Sequence, residues 1–336
     1  MEWWQDLTLI WTGIVAFAII MYVLMDGFDL GLGILFPFAE KDSDRDVMMN
    51  TVAPVWDFNE TWLILGGAGL FAAFPLAYAV ILPALYLPLL VMLIALIFRG
   101  VAFEFRFKAN ASRFLWDRSF HFGSLLATMV QGMALGAFIQ GFNVENRAYV
   151  GGMFDWFSIF SVVTGLALVA GYALLGCTWL IWRTEGSLQE WAYNLSKPLF
   201  LAVVGFVGVV SIWTPLLNDT IAQRWFSWPN ILYLSPVPIL TAALALMFWR
   251  AINNRREVQP FALTMGLFLL SFLGLAVSLW PNVIPPDISI WDAASPPETQ
   301  EFLLVGMAFL IPTILFYTVY SYYVFRGKVS EDAGYH

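Results

Sequence analysis

Four acidic residues sit where an apolar chain can least easily hold them. Asp26 and Asp29 interrupt the first apolar segment in Met25-Asp26-Gly27-Phe28-Asp29-Leu30-Gly31, and Asp57 and Glu60 open the second in Trp56-Asp57-Phe58-Asn59-Glu60-Thr61-Trp62. Each pair is spaced by three, which puts both members on one helix face. A carboxylate at the centre of a membrane helix costs at least about 2.5–3.5 kcal/mol on insertion scales. Groups kept at that cost usually move a proton or an ion. Arg99 closes the third apolar segment, with Glu104 five residues on, and would bring a cation and a fifth carboxylate to the same neighbourhood.

The elements that must position these residues are membrane helices. The 336 residues are 60% hydrophobic and only 12% charged, against about 25% charged in a soluble domain, and the mean hydropathy is +0.75. A span needs about 20 apolar residues, and on that ruler nine are expected: 7–38, 52–74, 77–98, 119–140, 157–182, 198–217, 232–252, 260–280 and 302–325. The first is too long for one perpendicular crossing, so it must tilt or project beyond one face. The start, Met1-Glu2-Trp3-Trp4-Gln5-Asp6, has neither a basic n-region nor a small-residue cleavage site, so the first segment is expected to remain as a span.

Positive charge gives a direction. Of the 16 Lys and Arg, all but Arg147 and Arg224 follow odd-numbered spans: Lys41 and Arg45; Arg99, Arg106, Lys108, Arg113 and Arg118; Arg183 and Lys197; Arg250, Arg255 and Arg256; Arg326 and Lys328. The positive-inside rule then predicts an N-terminus outside and a C-terminus in the cytoplasm. Asp26, Asp29, Asp57, Glu60 and Glu104 would then lie toward the cytoplasmic leaflet with Arg99. The connections are short, and no internal repeat stands out.

A bland alternative competes. Carboxylates near helix ends can reach the headgroups, pair with Arg99, or complement a helix start, worth about 0.3–1 kcal/mol each for Asp57 and Glu60. Pairing alone does not account for five carboxylates around one basic residue. The proton path is therefore read through Asp26, Asp29, Asp57, Glu60 and Glu104, with Arg99, Trp56 and Asn59 as structural or charge partners. Gly27 with Gly31, and Gly66 with Gly69, read as close helix packing.

Other chemistries lack their residues. The two histidines, His121 and His336, do not offer the paired axial ligands a b-type haem usually needs, nor an HExxH zinc site, and there is no GxxxxGK phosphate loop. The single cysteine, Cys177, lies in an apolar run and reads as an inert buried thiol. No metal site is expected, and no catalytic residue in the strict sense. Any redox metal would be ligated by another chain.

Several stretches together resemble subunit II of cytochrome bd-type quinol oxidases, including the cyanide-insensitive branch. They are Asp26-Gly27-Phe28-Asp29-Leu30-Gly31-Leu32-Gly33, Ala53-Pro54-Val55-Trp56-Asp57-Phe58-Asn59-Glu60-Thr61-Trp62-Leu63, Phe98-Arg99-Gly100-Val101-Ala102-Phe103-Glu104-Phe105-Arg106, Ser289-Ile290-Trp291-Asp292-Ala293, and the terminal stretch ending Phe325-Arg326-Gly327-Lys328. Phe58 departs from the pattern, standing where the family more usually has Gly.

The resemblance implies an all-α polytopic membrane protein, one integral domain over 1–336. It would have nine transmembrane helices as two four-helix bundles (7–140, with the acidic cluster, and 157–280) plus an extra helix at 302–325. It implies the haem-free subunit of a quinol:dioxygen oxidoreductase of the bacterial inner membrane. Subunit I would be the partner and carry two b-type haems and one d-type haem. Small single-span subunits, membrane lipid and a bound structural quinone or lipid are further partners found in the family, and nucleic acid is not one. By motif position Asp57 resembles the family's proton-path aspartate, Glu104 the acid after the third span, and Asp26 and Asp29 the DGFD pair. A proton-coupled secondary transporter using the same acids is the alternative from another class, and a purely structural partner is the third.

Overall fold

The computed structural model describes residues 3–329. His336, and the first two residues of the stretch read for a signal peptide, lie outside the described residues. The chain is almost wholly helical: α1 (Trp3–Leu35), α2 (Asp42–Asn50), α3 (Trp56–Ala73), α4 (Pro75–Ala84), α5 (Tyr86–Phe105), α6 (Arg113–Gln140), α7 (Ile159–Arg183), α8 (Gly186–Leu217), α9 (Asp219–Phe226), α10 (Asn230–Leu234), α11 (Pro236–Asn253), α12 (Gln259–Leu279), α13 (Ile290–Ala293) and α14 (Pro297–Val324). The remaining regular structure among the described residues is a 3₁₀ turn at Phe36–Phe38 and two short antiparallel hairpins, Val144–Glu145 with Ala148–Tyr149 and Asn282–Ile284 with Ile288–Ser289.

Eight helices among the described residues are long and apolar enough to cross a membrane. They correspond to every expected span except the second, whose helix α3 is 18 residues long with the polar run Asp57, Asn59 and Glu60 in its first turns.

The third expected span, 77–98, is not one helix. It breaks at Leu85 between α4 and α5, because Pro88 has no N–H to offer the carbonyl four residues back. At the other end α5 runs past residue 98 to Phe105, which places Arg99 inside a helix rather than after it. The sixth span also begins earlier than its apolar run, since α8 starts at Gly186 and carries Pro198 within it.

The helices alternate between two ends of the molecule. At one end, the Trp11 indole N–H of α1 donates to the Gln300 carbonyl near the start of α14 (3.1 Å), and Ser295 N–H donates to the Ala73 carbonyl at the end of α3 (2.9 Å). At the other end, Asn59 of α3 lies between Asp29 of α1 and Tyr322 of α14. Thus α1 and α14 run parallel, and α3 runs back between the same two levels, with Gly66 opposite Ala18 and Ile19 and Gly69 opposite Val15.

The core centres on α1 and α7. A Cβ on Gly31 would lie 1.9 Å from the Tyr172 carbonyl oxygen, and one on Gly176 would lie 2.6 Å from the Gly31 carbonyl carbon. The two backbones are in direct contact, as the spacing of Gly27 and Gly31 suggests. Phe28 stacks on Trp179 (4.4 Å between centroids), and Tyr172 through Ile181 are all buried. Cys177 is among them, with its thiol donating to the Ala192 carbonyl.

Candidate functional site

α1 carries Asp26 and Asp29 on the face that α3 and α5 cover, and both side chains are fully buried. From α5, Arg99 reaches in with no exposed surface. Its two terminal nitrogens donate to the two oxygens of Asp26, Nη2 to Oδ1 at 2.6 Å and Nη1 to Oδ2 at 3.0 Å. Bidentate geometry of this kind is the strong form of the ion pair. Asp29 Oδ2 stands 3.7 Å from the same guanidinium and accepts a hydrogen bond from Asn59 Nδ2 at 2.8 Å. Asn59 is itself buried and accepts from the Tyr322 hydroxyl at 2.9 Å. Trp56 stacks on Phe103 (4.9 Å, 7°), and the Arg99 guanidinium carbon lies 6.0 Å from each ring centroid.

The arithmetic of charge gives the site its character. One guanidinium serves two carboxyl groups in an interior where an unbalanced charge is costly. Asp26 has both oxygens satisfied. Asp29 has one oxygen bonded to a neutral amide, and its Oδ1 has no hydrogen-bond partner among the described residues. Asp26 is thus fully engaged by the guanidinium, while Asp29 is bonded through one oxygen only.

The other acids are placed differently. Glu60 is half-buried one turn beyond Trp56. Asp57 is exposed in the first turn of α3. Glu104 is exposed on α5 and pairs with Lys108 (3.3 Å). The structure thus brings Asp26, Asp29, Arg99, Asn59 and Trp56 together, sets Glu60 at their margin, and leaves Asp57 and Glu104 on the outer surface of the chain. Tyr322 belongs to the network and was not among the sequence candidates; nothing in its local sequence distinguishes it from Tyr317, Tyr320 or Tyr323.

A second charged centre also escaped sequence reading. The Arg106 side chain is fully buried at the end of α5 and bonds Asp46 of α2 and Asp117 of α6, each at 2.5 Å; Arg113 also pairs with Asp46.

His121 is the one histidine among the described residues, and its Nδ1 lies 3.0 Å from the Gly33 carbonyl. No cluster of three or more His, Cys, Asp or Glu among the described residues could hold a metal ion.

Fold and site together define a polytopic helical membrane protein built around a buried carboxylate–arginine centre. The family described as cytochrome bd terminal oxidase subunit II matches residues 7–325, and the chain belongs to that family. It is 27% identical to cytochrome bd-I ubiquinol oxidase subunit 2 of Escherichia coli K12, covering 98% of this chain and 97% of the relative. Cytochrome bd ubiquinol oxidase subunit 2 of Bacillus subtilis 168 is 28% identical, with 96% of each chain covered. The fold matches a chain in the structure of bd oxidase from Geobacillus thermodenitrificans with a TM-score of 0.74 at 17% identity, over 95% of this chain and 97% of that one.

Proposed function

We propose that the chain is the haem-free subunit of a cytochrome bd-type quinol:dioxygen oxidoreductase and supplies a cytoplasmic-side proton path for the reduction of dioxygen to water. The haems then belong to subunit I, the expected partner in the bacterial inner membrane. The observation that carries this reading is the sharing of one fully buried arginine, Arg99, by two fully buried carboxyl groups, Asp26 and Asp29. Exposed Asp57 and Glu104 serve as entry acids in this reading, half-buried Glu60 as the intermediate, and the Asp26–Asp29 pair as the interior station. Carboxylate chains are the usual material of proton relays in membranes.

The reading includes nine spans, with α3 as the ninth, in two four-helix groups plus α14. Support for the number comes from parity: α1 and α14 run parallel, which requires an odd number of crossings from first to last. Support for the orientation, N-terminus outside and C-terminus in the cytoplasm, comes from the charges at the end where α1 finishes, among them Arg45, Arg113, Arg255 and Lys328. A bound structural quinone or lipid, and small single-span subunits, belong to the same proposal.

Asp57→Asn in the purified complex tests it. Turnover should fall on the order of tenfold or more while the haem spectrum stays intact. Full turnover would remove Asp57 from the path, and loss of haem or of assembly would make the residue structural.

A further inference from the structure

Helix α14 leaves most of its side chains outside the chain's core; Phe302, Phe309, Phe316, Val319, Tyr320 and Tyr323 are all exposed. Tyr322 is the exception that matters. Its hydroxyl points inward and donates to Asn59 Oδ1 at 2.9 Å, and Asn59 Nδ2 donates to Asp29 Oδ2 at 2.8 Å. Three helices remote in sequence thus close a chain of two hydrogen bonds that ends on a buried acid.

Directionality follows from the inventory of donors and acceptors. An ionised carboxylate only accepts, an amide presents two N–H donors on one side and an acceptor on the other, and a phenol does both. If the Asn59 amide were turned over, its oxygen would face Asp29 Oδ2 with no proton between them. The carboxylate thus sets which way the amide faces, and the Tyr322 O–H, by donating to Oδ1, holds the amide in that position from its far side.

The tyrosine is itself held in place. Its ring meets the Trp179 indole edge to face (6.3 Å, 87°). Arg183 lies over that same indole (5.0 Å) and donates to the Phe325 carbonyl just past the end of α14. The indole N–H of Trp179 donates to Thr51 Oγ1 (3.1 Å) in the turn that leads into α3. The end of α14, the end of α7 and the approach to α3 are therefore fixed to one another around the phenol.

The geometry points to Tyr322 as a positioning residue that, through Asn59, fixes the hydrogen bond to Asp29 while proton transfer uses that carboxyl group. The inference rests on the proton-path reading. The groups that face Asp29 are Asp26 from its own helix, Arg99 from α5, Asn59 and Glu60 from α3, and Tyr322 from α14. Tyr322 is bonded to Asp29 only through the Asn59 amide, which does not pass a proton on, so its part is to set geometry.

Tyr322→Phe in the purified two-subunit complex tests the assignment, because it keeps the ring against Trp179 and removes only the hydroxyl. Infrared difference spectra would identify the Asp29 carboxyl band by its loss in Asp29→Asn. Tyr322→Phe is expected to displace that band and to lower kcat about three- to tenfold, the size of one lost hydrogen bond between neutral groups, with KM for quinol and the haem spectrum unchanged. Asn59→Leu breaks the chain at its middle link and should displace the same band. An unmoved band with unchanged kcat in Tyr322→Phe overturns the assignment, and so does loss of the haem spectrum, which would make the hydroxyl a packing element. Full turnover in Asp29→Asn would end the proton-path reading, while the band in Tyr322→Phe would still decide whether the phenol positions Asp29.

Discussion

Arg99 and Asp26 meet through two nearly parallel N–H···O contacts of 2.6 and 3.0 Å, seventy-three positions apart in sequence and with neither side chain exposed. This pairing fastens α5 to α1 at the level where α3 begins. It also fixes the charge environment of Asp29, which lies 3.7 Å from the same guanidinium.

Removing one partner leaves the other charged and unpaired in the interior, which costs about 3–5 kcal/mol in comparable buried pairs. Arg99→Met and Asp26→Asn should each lower the midpoint of thermal unfolding of the detergent-solubilised complex markedly. Arg99→Met is expected to be the worse, because it leaves two carboxyl groups without a cation. The Arg99→Met/Asp26→Asn double variant should be more stable than Arg99→Met alone, and equal or lower stability in the double variant would contradict the pairing.

The acids of this site and their partners Arg99, Asn59 and Trp56 were legible in the sequence, but the depth at which they meet was not. Asp26, Asp29, Asp57 and Glu60 announce themselves because a carboxylate in an apolar run is expensive, and the three-residue spacing gives each pair one face. Arg99 was counted with the charges that follow a span because the apolar run stops at Phe98; the helix continues for seven more residues and takes the guanidinium inside. Arg106 was misread for the same reason, since its partners Asp46 and Asp117 lie in what reads as connecting sequence. The spacing also could not tell exposed Asp57 and Glu104 from buried Asp26 and Asp29. Tyr322 was invisible because it meets Asn59 across 263 positions, and one tyrosine among several on a helix carries no periodic signal.

Backbone contact between α1 and α7 makes a sharp prediction about glycine. At Gly31 a methyl would collide with backbone, the Tyr172 carbonyl, which has no rotamer by which to move aside. Gly31→Ala should therefore destabilise the complex by about 1–3 kcal/mol or block its assembly. Gly13→Ala on the same helix meets nothing within 4 Å, and the gain in helix propensity is about 0.5–1 kcal/mol, so it should be neutral or slightly stabilising. Comparing the two by thermal unfolding in detergent separates the contact from any general intolerance of substitution in α1.

At the end of the molecule where α1 finishes, Lys328 Nζ and the Gln189 amide both donate to Glu257 Oε1, at 3.0 and 3.1 Å. These bonds hold the Glu257 carboxyl below the ordinary carboxylate range. A carboxyl so depressed adds stability above its unfolded pKa of about 4.3 and loses it as pH falls through the lower folded value. The stability difference between the native complex and Glu257→Gln should accordingly be present at neutral pH and close below about pH 4. The group is exposed, so the difference should be small and should shrink with added salt. A difference that persists in acid would assign the effect to something other than the charge.

Arg106 gives a prediction about how the site is held from below. Its buried guanidinium bonds Asp46 and Asp117 and lies over the Phe36 ring (5.1 Å), so it ties α2 to the end of α5 and the start of α6. The short helix α2 buries Val47, Met48 and Met49 and leads through Thr51 into the turn before Trp56 and Asn59. Its hold on the rest of the chain is thus also a hold on the start of α3. Arg106→Ala should raise hydrogen–deuterium exchange across Asp42–Asn50 and lower oxidase turnover by less than Asp57→Asn does, because it loosens the approach to the site without touching its carboxyl groups. Arg106→Lys should restore little of the protection, since an ammonium cannot span two carboxylates as the planar fork does. If exchange in α2 stayed at the native level in Arg106→Ala, the anchor would have to be sought in the buried methionines instead.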